Sequence, residues 1–185
     1  VNNFEMISFN FGPTLFSWLA AHHPDTSELI LAAARSSQAL HHGHGNAIAQ
    51  VYNHMIMPLA SRRDQGTQVR WGLEDFRHRF GREPEAMWLP ETACNQETLE
   101  VLVEHGLKFL VLSPYQAEAV RSLEKEEWHD VSQGGIDPRR PYRCFLTRQP
   151  DHYIYIFFYD GPISQAAGFQ DILRDARAFM DRVDG

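Results

Sequence analysis

Apolar and polar positions follow two different patterns along the chain. Short continuous apolar runs are typical of buried strands, and they alternate with segments whose apolar residues recur every three to four positions, as in helices. The predicted strands are Phe4–Phe9, Ala47–Val51, Ala86–Leu89, Phe109–Leu112, Tyr142–Thr147 and Tyr153–Tyr159. The predicted helices are Thr14–Ala21, one capped by Asp25 or Thr26, Gln68–Phe80, Gln96–His105 and a last one after the final strand. This alternation predicts an α/β fold with parallel strands.

Polar residues stand just beyond several of the predicted strands. Repeated β-then-α units of this kind describe part of a (β/α) barrel, in which chemistry occurs at the carboxyl ends of the strands. Residues 122–141 are polar and rich in turn-forming residues, which predicts a surface excursion. No convincing linker precedes residue 120, so residues 1–185 are expected to form a single domain.

Both ends of the chain suggest a piece of a larger barrel. The chain starts at Val1 instead of methionine, and its last amphipathic segment has nothing after it to pack against. An internal piece of a barrel exposes strand edges, so self-association through these edges is expected.

Composition and charge exclude several classes of protein. The 185 residues are 43% hydrophobic and carry a formal net charge of −7, which argues against a nucleic-acid partner or an anionic membrane surface. No apolar run approaches the length of about 20 residues that a membrane span requires, and no secretory signal is recognisable. Two cysteines, Cys94 and Cys144, form no disulfide framework, so a cytoplasmic location is expected.

The sharpest chemical signal is the sequence from Trp88 to Thr92. A predicted strand runs into Pro90, and the carboxylate of Glu91 follows where barrel enzymes place reactive groups. The flat face of Trp88 is a surface on which a sugar ring can stack. The competing interpretation is that Glu91 merely begins the helix capped by Asn95, where a carboxylate is electrostatically favoured.

Histidines cluster between His41 and His54. Histidine supplies acid–base groups and metal ligands, and His44 and His54 rank highest because each lies at a predicted strand or turn boundary. Since neither an Asp-x-His nor a His-Glu-x-x-His arrangement accompanies them, no metal site is predicted. The other histidines are expected to be solvated or to cap a helix.

A second strand-end carboxylate is Asp160, which follows Tyr159 and precedes Gly161-Pro162. A glycosidase requires two carboxyl groups, one that attacks and one that donates a proton, and Asp160 could partner Glu91. Alternatively, Asp160 organises its own turn by an Asx-type hydrogen bond.

Together these segments resemble glycoside hydrolase family 57, and more closely its uncharacterised branch. The matching segments are Gly43–Ala60, Trp88–Ala93 and Phe157–Ser164, and the resemblance spans roughly residues 43–168. It implies a (β/α)7 barrel and a retaining enzyme that acts on α-glucan-like oligo- or polysaccharides without a cofactor.

The resemblance also implies roles for individual residues. Glu91 takes the place of the catalytic nucleophile, His54 lines the sugar site and Trp88 borders it. Further candidates for sugar binding within the matching segments are His44, Asn46 and Tyr159.

Two departures from the family pattern affect the expected activity. No His-x-Pro motif occurs near the start of the chain, and Asp160-Gly161 is followed by Pro162 where the family has an Asp-Gly-Glu type sequence. The acid/base group is therefore either Asp160 or an aspartate beyond Gly185. The sequence favours the second case, so the 185-residue chain by itself is expected to show little or no hydrolysis.

Two alternative functions stay open from the sequence. A metal-dependent carbohydrate deacetylase would need His44, His54 and a carboxylate to converge on one ion. A non-catalytic glucan-binding module would use stacking aromatic residues, namely Tyr52, Trp71, Trp88 and Tyr159.

Overall fold

The structure is a computed structural model that describes residues 2–184. The α-helices are α1 Pro13–His22, α2 Pro24–Leu40, α3 Arg62–Phe80, α4 Gln96–Glu104, α5 Gly161–Phe169 and α6 Ala176–Asp184. The strands are β1 Ala49–Gln50, β2 Met87–Trp88, β3 Phe109–Leu112, β4 Ala119–Val120, β5 His129–Asp130, β6 Tyr142–Phe145 and β7 Tyr153–Phe158. Among residues 2–184, no helix combines the length and apolar character needed to cross a membrane.

Parallel pairing links successive strand segments. Phe9 forms a parallel bridge with Ala47, β1 pairs in parallel with β2, and Ala86 forms a parallel bridge with Phe109 at the start of β3. In the β1–β2 pair Gln50 lies opposite Trp88. These contacts confirm the predicted α/β class with parallel strands, and they place the carboxyl ends of neighbouring segments side by side.

The chain divides into two compact units. The first contains the residues up to Leu110 together with Arg143–Tyr155, and the second contains Val111–Tyr142 together with the residues from Ile156 onward. The strands β3, β7 and β6 form one sheet in that order. The expectation of a single domain stays a prediction.

In the first unit, α3 packs on β1 with unusually close backbones. Ser61 caps the helix by accepting the N–H of Asp64, and Gly81 ends it with a left-handed φ of 65°. The buried stripe of α3 includes Val69, Gly72 and Leu73. A Cβ on Gly72 would lie 2.2 Å from the carbonyl oxygen of Gln50, so only glycine allows this approach.

The helix α4 follows the segment that carries Glu91. Asn95 caps it by accepting the N–H of Thr98 at 2.9 Å, as the sequence predicted. On the same helix, the carboxylate of Glu100 is only 3% exposed and is paired with Arg62 at 3.1 Å and Arg148 at 3.4 Å. These two guanidinium groups compensate for the burial of the carboxylate.

The second unit contains a small antiparallel pair and the last two α-helices. The strands β4 and β5 pair with Ala119 opposite Asp130, and residues 121–130 are exposed throughout. The final helical region comprises α5 and α6 instead of the single helix predicted, because Asp171 adopts a left-handed φ of 57° between them.

The prediction of a strand at Phe4–Phe9 was wrong. Asn3–Glu5 forms a 3-10 helix capped by Asn2, and only Phe9 pairs as a strand does. The apolar run reflects an aromatic cluster instead, since the rings of Phe4 and Phe9 are 4.8 Å apart and Phe11 packs on both.

Candidate active site

A cavity of about 490 Å³ opens in the first unit where three parallel segments end. The residues that line it follow Phe9, β1 or β2, or lie at their last positions: Asn10, Phe11, Gly12, Pro13, Thr14, Leu15, Gln50, Tyr52, Asn53, His54 and Trp88. Its size is within the usual range of small-molecule sites, and its wall combines aromatic with polar groups.

His54 and Glu91 meet at the rim of this cavity. His54 Nε2 lies 3.4 Å from Glu91 Oε1, and the two side chains are 58% and 72% exposed. His54 lines the cavity. Glu91 is not among the lining residues but contacts His54, which is one of them. The carboxylate is therefore accessible from solvent and held next to a nitrogen that can donate to it.

The backbone at this pair is strained. His54 has a φ of 53°, Glu91 a φ of 54° and Thr92 a φ of 52°, all in the left-handed region that favours glycine. Such conformations cost about 1–3 kcal/mol each and cluster at functional sites. Pro90–Thr92 forms a 3-10 turn directly after β2, and this turn carries Glu91 toward His54.

Gln50 is the second polar neighbour of His54. Gln50 Nε2 lies 3.1 Å from His54 Nδ1, so the imidazole is contacted on both nitrogens. Sequence analysis missed Gln50, although its position four residues before His54 at the end of a predicted strand was a usable signal.

Asn10 was also missed. It directly follows Phe9 and lines the cavity, near the start of the chain, where the family pattern would place a His-x-Pro motif. A polar residue between two phenylalanines before Gly12-Pro13 was the available signal.

Aromatic rings form one side of the site. Trp88 and Tyr52 both line the cavity, and the Tyr52 ring contacts the Trp71 ring edge-on at a centroid distance of 5.6 Å. Half of Trp71 is exposed, so part of this side chain is accessible next to Tyr52.

His44 and Asn46 lie outside the set that lines the cavity. His44 Nδ1 is paired with Glu85 Oε2 at 2.8 Å, and Lys108 binds Oε1 of the same carboxylate at 2.8 Å. Lys108 and, to a smaller extent, His44 hold the pKa of Glu85 below its ordinary value. Asn46 donates its amide to the carbonyls of Phe4 and Ile7, which fixes the start of the chain.

The two histidines that the deacetylase alternative would need as metal ligands are thus paired with different carboxylates. Among residues 2–184, no group of three or more His, Cys, Asp or Glu side chains is arranged to hold a metal ion. The ligand set that the deacetylase alternative requires from His44 and His54 is not assembled there.

Asp160 and Tyr159 belong to the second unit. Asp160 Oδ1 accepts the N–H of Ile163 at 2.8 Å and caps α5, which is the turn-organising role considered from the sequence. The Tyr159 N–H donates to the carbonyl of Leu112 at 3.2 Å. A catalytic role for Asp160 and a sugar-binding role for Tyr159 stay predictions.

Comparison with known proteins identifies the family. The model of glycosyl hydrolase family 57 matches residues 6–185, and the chain therefore belongs to this family. Its α/β fold is accordingly part of a (β/α)7 barrel, as predicted.

Three relatives illustrate the likeness. The chain is 24% identical over 106 residues to alpha-amylase 1 of Dictyoglomus thermophilum, covering 57% of this chain and 15% of the amylase. The 4-alpha-glucanotransferase of Thermococcus litoralis superposes with a TM-score of 0.61 at 20% identity, over 90% of this chain and 24% of that one. An exo-type maltose-forming amylase of Pyrococcus sp. ST04 gives a TM-score of 0.64 at 17% identity, over 89% and 24% of the respective chains. The chain thus spans a quarter or less of the length of these relatives.

Proposed function

We propose that the protein is a retaining glycoside hydrolase or glucanotransferase that acts on α-glucan-like oligo- or polysaccharides, with Glu91 as the nucleophile. The observation that carries this proposal is the pairing of Glu91 with His54 at the rim of a cavity of about 490 Å³. Family membership supports the reaction class, and the names of the relatives, two amylases and a glucanotransferase, support the substrate class.

The proposed reaction is a double displacement. The Glu91 carboxylate attacks the anomeric carbon and forms a glycosyl ester, while a carboxylic acid protonates the departing glycosidic oxygen. The resulting carboxylate then removes a proton from water or from a sugar hydroxyl, which attacks the ester and releases Glu91. The first acceptor gives hydrolysis and the second gives transfer.

The chain's own residues prepare this reaction. An N–H on His54 Nε2 donates a hydrogen bond to Glu91 Oε1 and thereby orients the carboxylate. The other carboxylate oxygen, Oε2, is then the one that attacks. Trp88 and Tyr52 offer flat faces for sugar rings, and Asn10 and Asn53 offer amides for their hydroxyl groups.

Glu91→Gln in the full-length protein tests the assignment. We expect turnover of α-glucan, measured as released reducing ends and as newly formed linkages, to fall by a factor of about 10³ or more, because the amide cannot form the ester. Sugar affinity and thermal unfolding should be nearly unchanged. Glu126→Gln, which removes an exposed carboxylate from the second unit, is the matched control. If Glu91→Gln keeps more than a tenth of the wild-type rate, the assignment is wrong.

The proton donor requires a separate experiment, because Asp160 also caps α5. Asparagine caps a helix about as well as aspartate but cannot transfer the proton. If Asp160 is the acid/base group, Asp160→Asn abolishes turnover and leaves unfolding unchanged. If turnover survives, Asp160 is not the proton donor.

A further inference from the structure

Gln50 and Glu91 contact opposite nitrogens of the same imidazole. Among the residues described, they are the polar side chains bonded to the His54 ring, Gln50 at Nδ1 and Glu91 at Nε2. A neutral imidazole has one N–H donor and one acceptor nitrogen, and an ionised carboxylate only accepts. For the contact with ionised Glu91 to be attractive, the neutral ring must carry its proton on Nε2. Nδ1 is then an acceptor and needs a donor.

We propose that Gln50 is a positioning residue that supplies this donor. Its amide N–H bonds Nδ1, fixes His54 in the Nε2–H tautomer and keeps that N–H directed at the Glu91 carboxylate. The opposite orientation of the amide would place its oxygen at Nδ1 and favour the Nδ1–H tautomer, leaving a lone pair of Nε2 facing the carboxylate. The proposal concerns the histidine itself, and only its catalytic consequence rests on the proposed function.

The surroundings of Gln50 suit a positioning role. Its backbone lies in β1 opposite Trp88, and its carbonyl is in close contact with α3 at Gly72. Its amide packs against Gly12, where a Cβ would lie 3.3 Å from Nε2. The Gln50 backbone is thus fixed between β2 and α3 and its amide lies beside Gly12, whereas the exposed His54 ring depends on its neighbours for orientation.

The tautomer can be measured directly by NMR of the protein labelled with ¹⁵N-histidine, at a pH where the ring is neutral. We expect wild-type His54 to carry its proton on Nε2. Gln50→Met keeps the volume of the side chain but removes the donor to Nδ1, so only Glu91 still favours Nε2–H and the share of that tautomer should fall. Gln50→Glu keeps the shape but offers only an acceptor, so it competes with Glu91 for the ring proton and should raise the share of the Nδ1–H tautomer. Gln170→Ala, at an exposed position, should leave the His54 signals unchanged.

Kinetics provide the second measurement. Gln50→Met should lower kcat about 10- to 100-fold, by analogy with residues that orient catalytic and ligating histidines, with little change in KM. Thermal unfolding of each variant separates this effect from loss of folding. An Nδ1–H tautomer in the wild-type protein, or a tautomer ratio that is the same in Gln50→Glu as in the wild type, would overturn the proposal. If the tautomer follows Gln50 but Glu91→Gln remains active, the positioning role stands and the proposed nucleophile is wrong.

Discussion

His54 and Glu91 are 37 positions apart in sequence, yet their side chains are 3.4 Å apart and both residues adopt left-handed backbone conformations. Each follows one of two parallel strands that pair directly, β1 and β2. The parallel pairing brings the two segments together, and the two strained residues then turn their side chains toward one another. The strained backbone and the paired side chains thus occur at the same place in the structure.

The left-handed conformation of His54 allows its structural and chemical effects to be separated. His54→Gly should be more stable to unfolding than His54→Ala by about 1 kcal/mol, because glycine adopts this conformation without strain. Both variants should lose about 10- to 100-fold in kcat/KM, because a hydrogen bond to a charged carboxylate is missing. Chemical denaturation and steady-state kinetics measure the two quantities. His129→Ala, which removes an exposed histidine of the second unit, should change neither.

The aromatic side of the cavity predicts the response to Trp71→Ala. The exposed ring offers a stacking surface next to Tyr52, so its loss should weaken binding of longer maltooligosaccharides about three- to tenfold and affect short ones less. Isothermal titration calorimetry measures this difference. Trp128→Ala removes another exposed tryptophan, from the second unit, and should leave the affinity unchanged. Equal losses in the two variants would count against stacking at Trp71.

The close contact between α3 and β1 predicts opposite effects for two glycine substitutions in the same helix. Gly72→Ala should lower the free energy of unfolding by about 1–3 kcal/mol, because the new Cβ would lie 2.2 Å from the Gln50 carbonyl. Gly66→Ala meets only His105 at an ordinary 3.7 Å, and should raise stability by up to about 1 kcal/mol through helix propensity. Urea denaturation compares the two variants. If the two variants were equally stable, the backbones of α3 and β1 would be able to separate at Gly72 at little cost in free energy.

The lowered pKa of Glu85 predicts a dependence of stability on pH. Because the folded chain holds this pKa below the ordinary 4.5, mainly through Lys108, the pairing stabilises the fold fully above pH 4.5. That stabilisation is lost as the pH falls through the lowered pKa. Lys108→Met should therefore reduce the free energy of unfolding at pH 6 by about 1 kcal/mol or less, and the difference should vanish at strongly acidic pH. Lys125→Met, at an exposed position, controls for the loss of a positive charge. A difference that grows on acidification would contradict this interpretation.

The cysteines predict slow thiol chemistry. Burial, with a smaller effect of nearby Cys144, raises the pKa of the Cys94 thiol to about 12, and burial also raises the pKa of Cys144. Relative to an ordinary thiol of pKa 9.0, Cys94 holds about a thousandfold less thiolate at pH 8. Alkylation should thus be slow in the folded protein and fast in guanidinium. Cys144→Ser isolates the reaction of Cys94, and rapid labelling of this folded variant would contradict the raised pKa.

Local signals were sufficient for much of the fold. Phe109–Leu112 was predicted with the observed bounds, because this continuous apolar run lies between the polar residues Lys108 and Ser113. Asn95 was identified as a cap because its side chain acts within three residues. The start of α3 was placed six residues late, since Arg62–Gln65 is polar. Its inward-facing Gln65 is nevertheless fully buried.

The site was less accessible to sequence reasoning. Glu91, His54 and Trp88 could be named because each belongs to a recognisable segment. Gln50 and Asn10 could not, because their places depend on which strand ends become neighbours, and that is set by tertiary pairing instead of by local pattern. His44 and Asn46 belong to equally recognisable segments, but their side chains bind Glu85 and backbone carbonyls outside the cavity lining.

The edge contact between Tyr52 and Trp71 has an optical consequence. Indole emission depends on the immediate environment of the ring. Tyr52, which contacts the Trp71 indole, also lines the cavity. A molecule that enters the cavity and shifts Tyr52 alters the surroundings of Trp71 without touching it. The fluorescence of a variant that lacks Trp18 and Trp128 but keeps Trp71 and Trp88 would then report occupancy, with no added label.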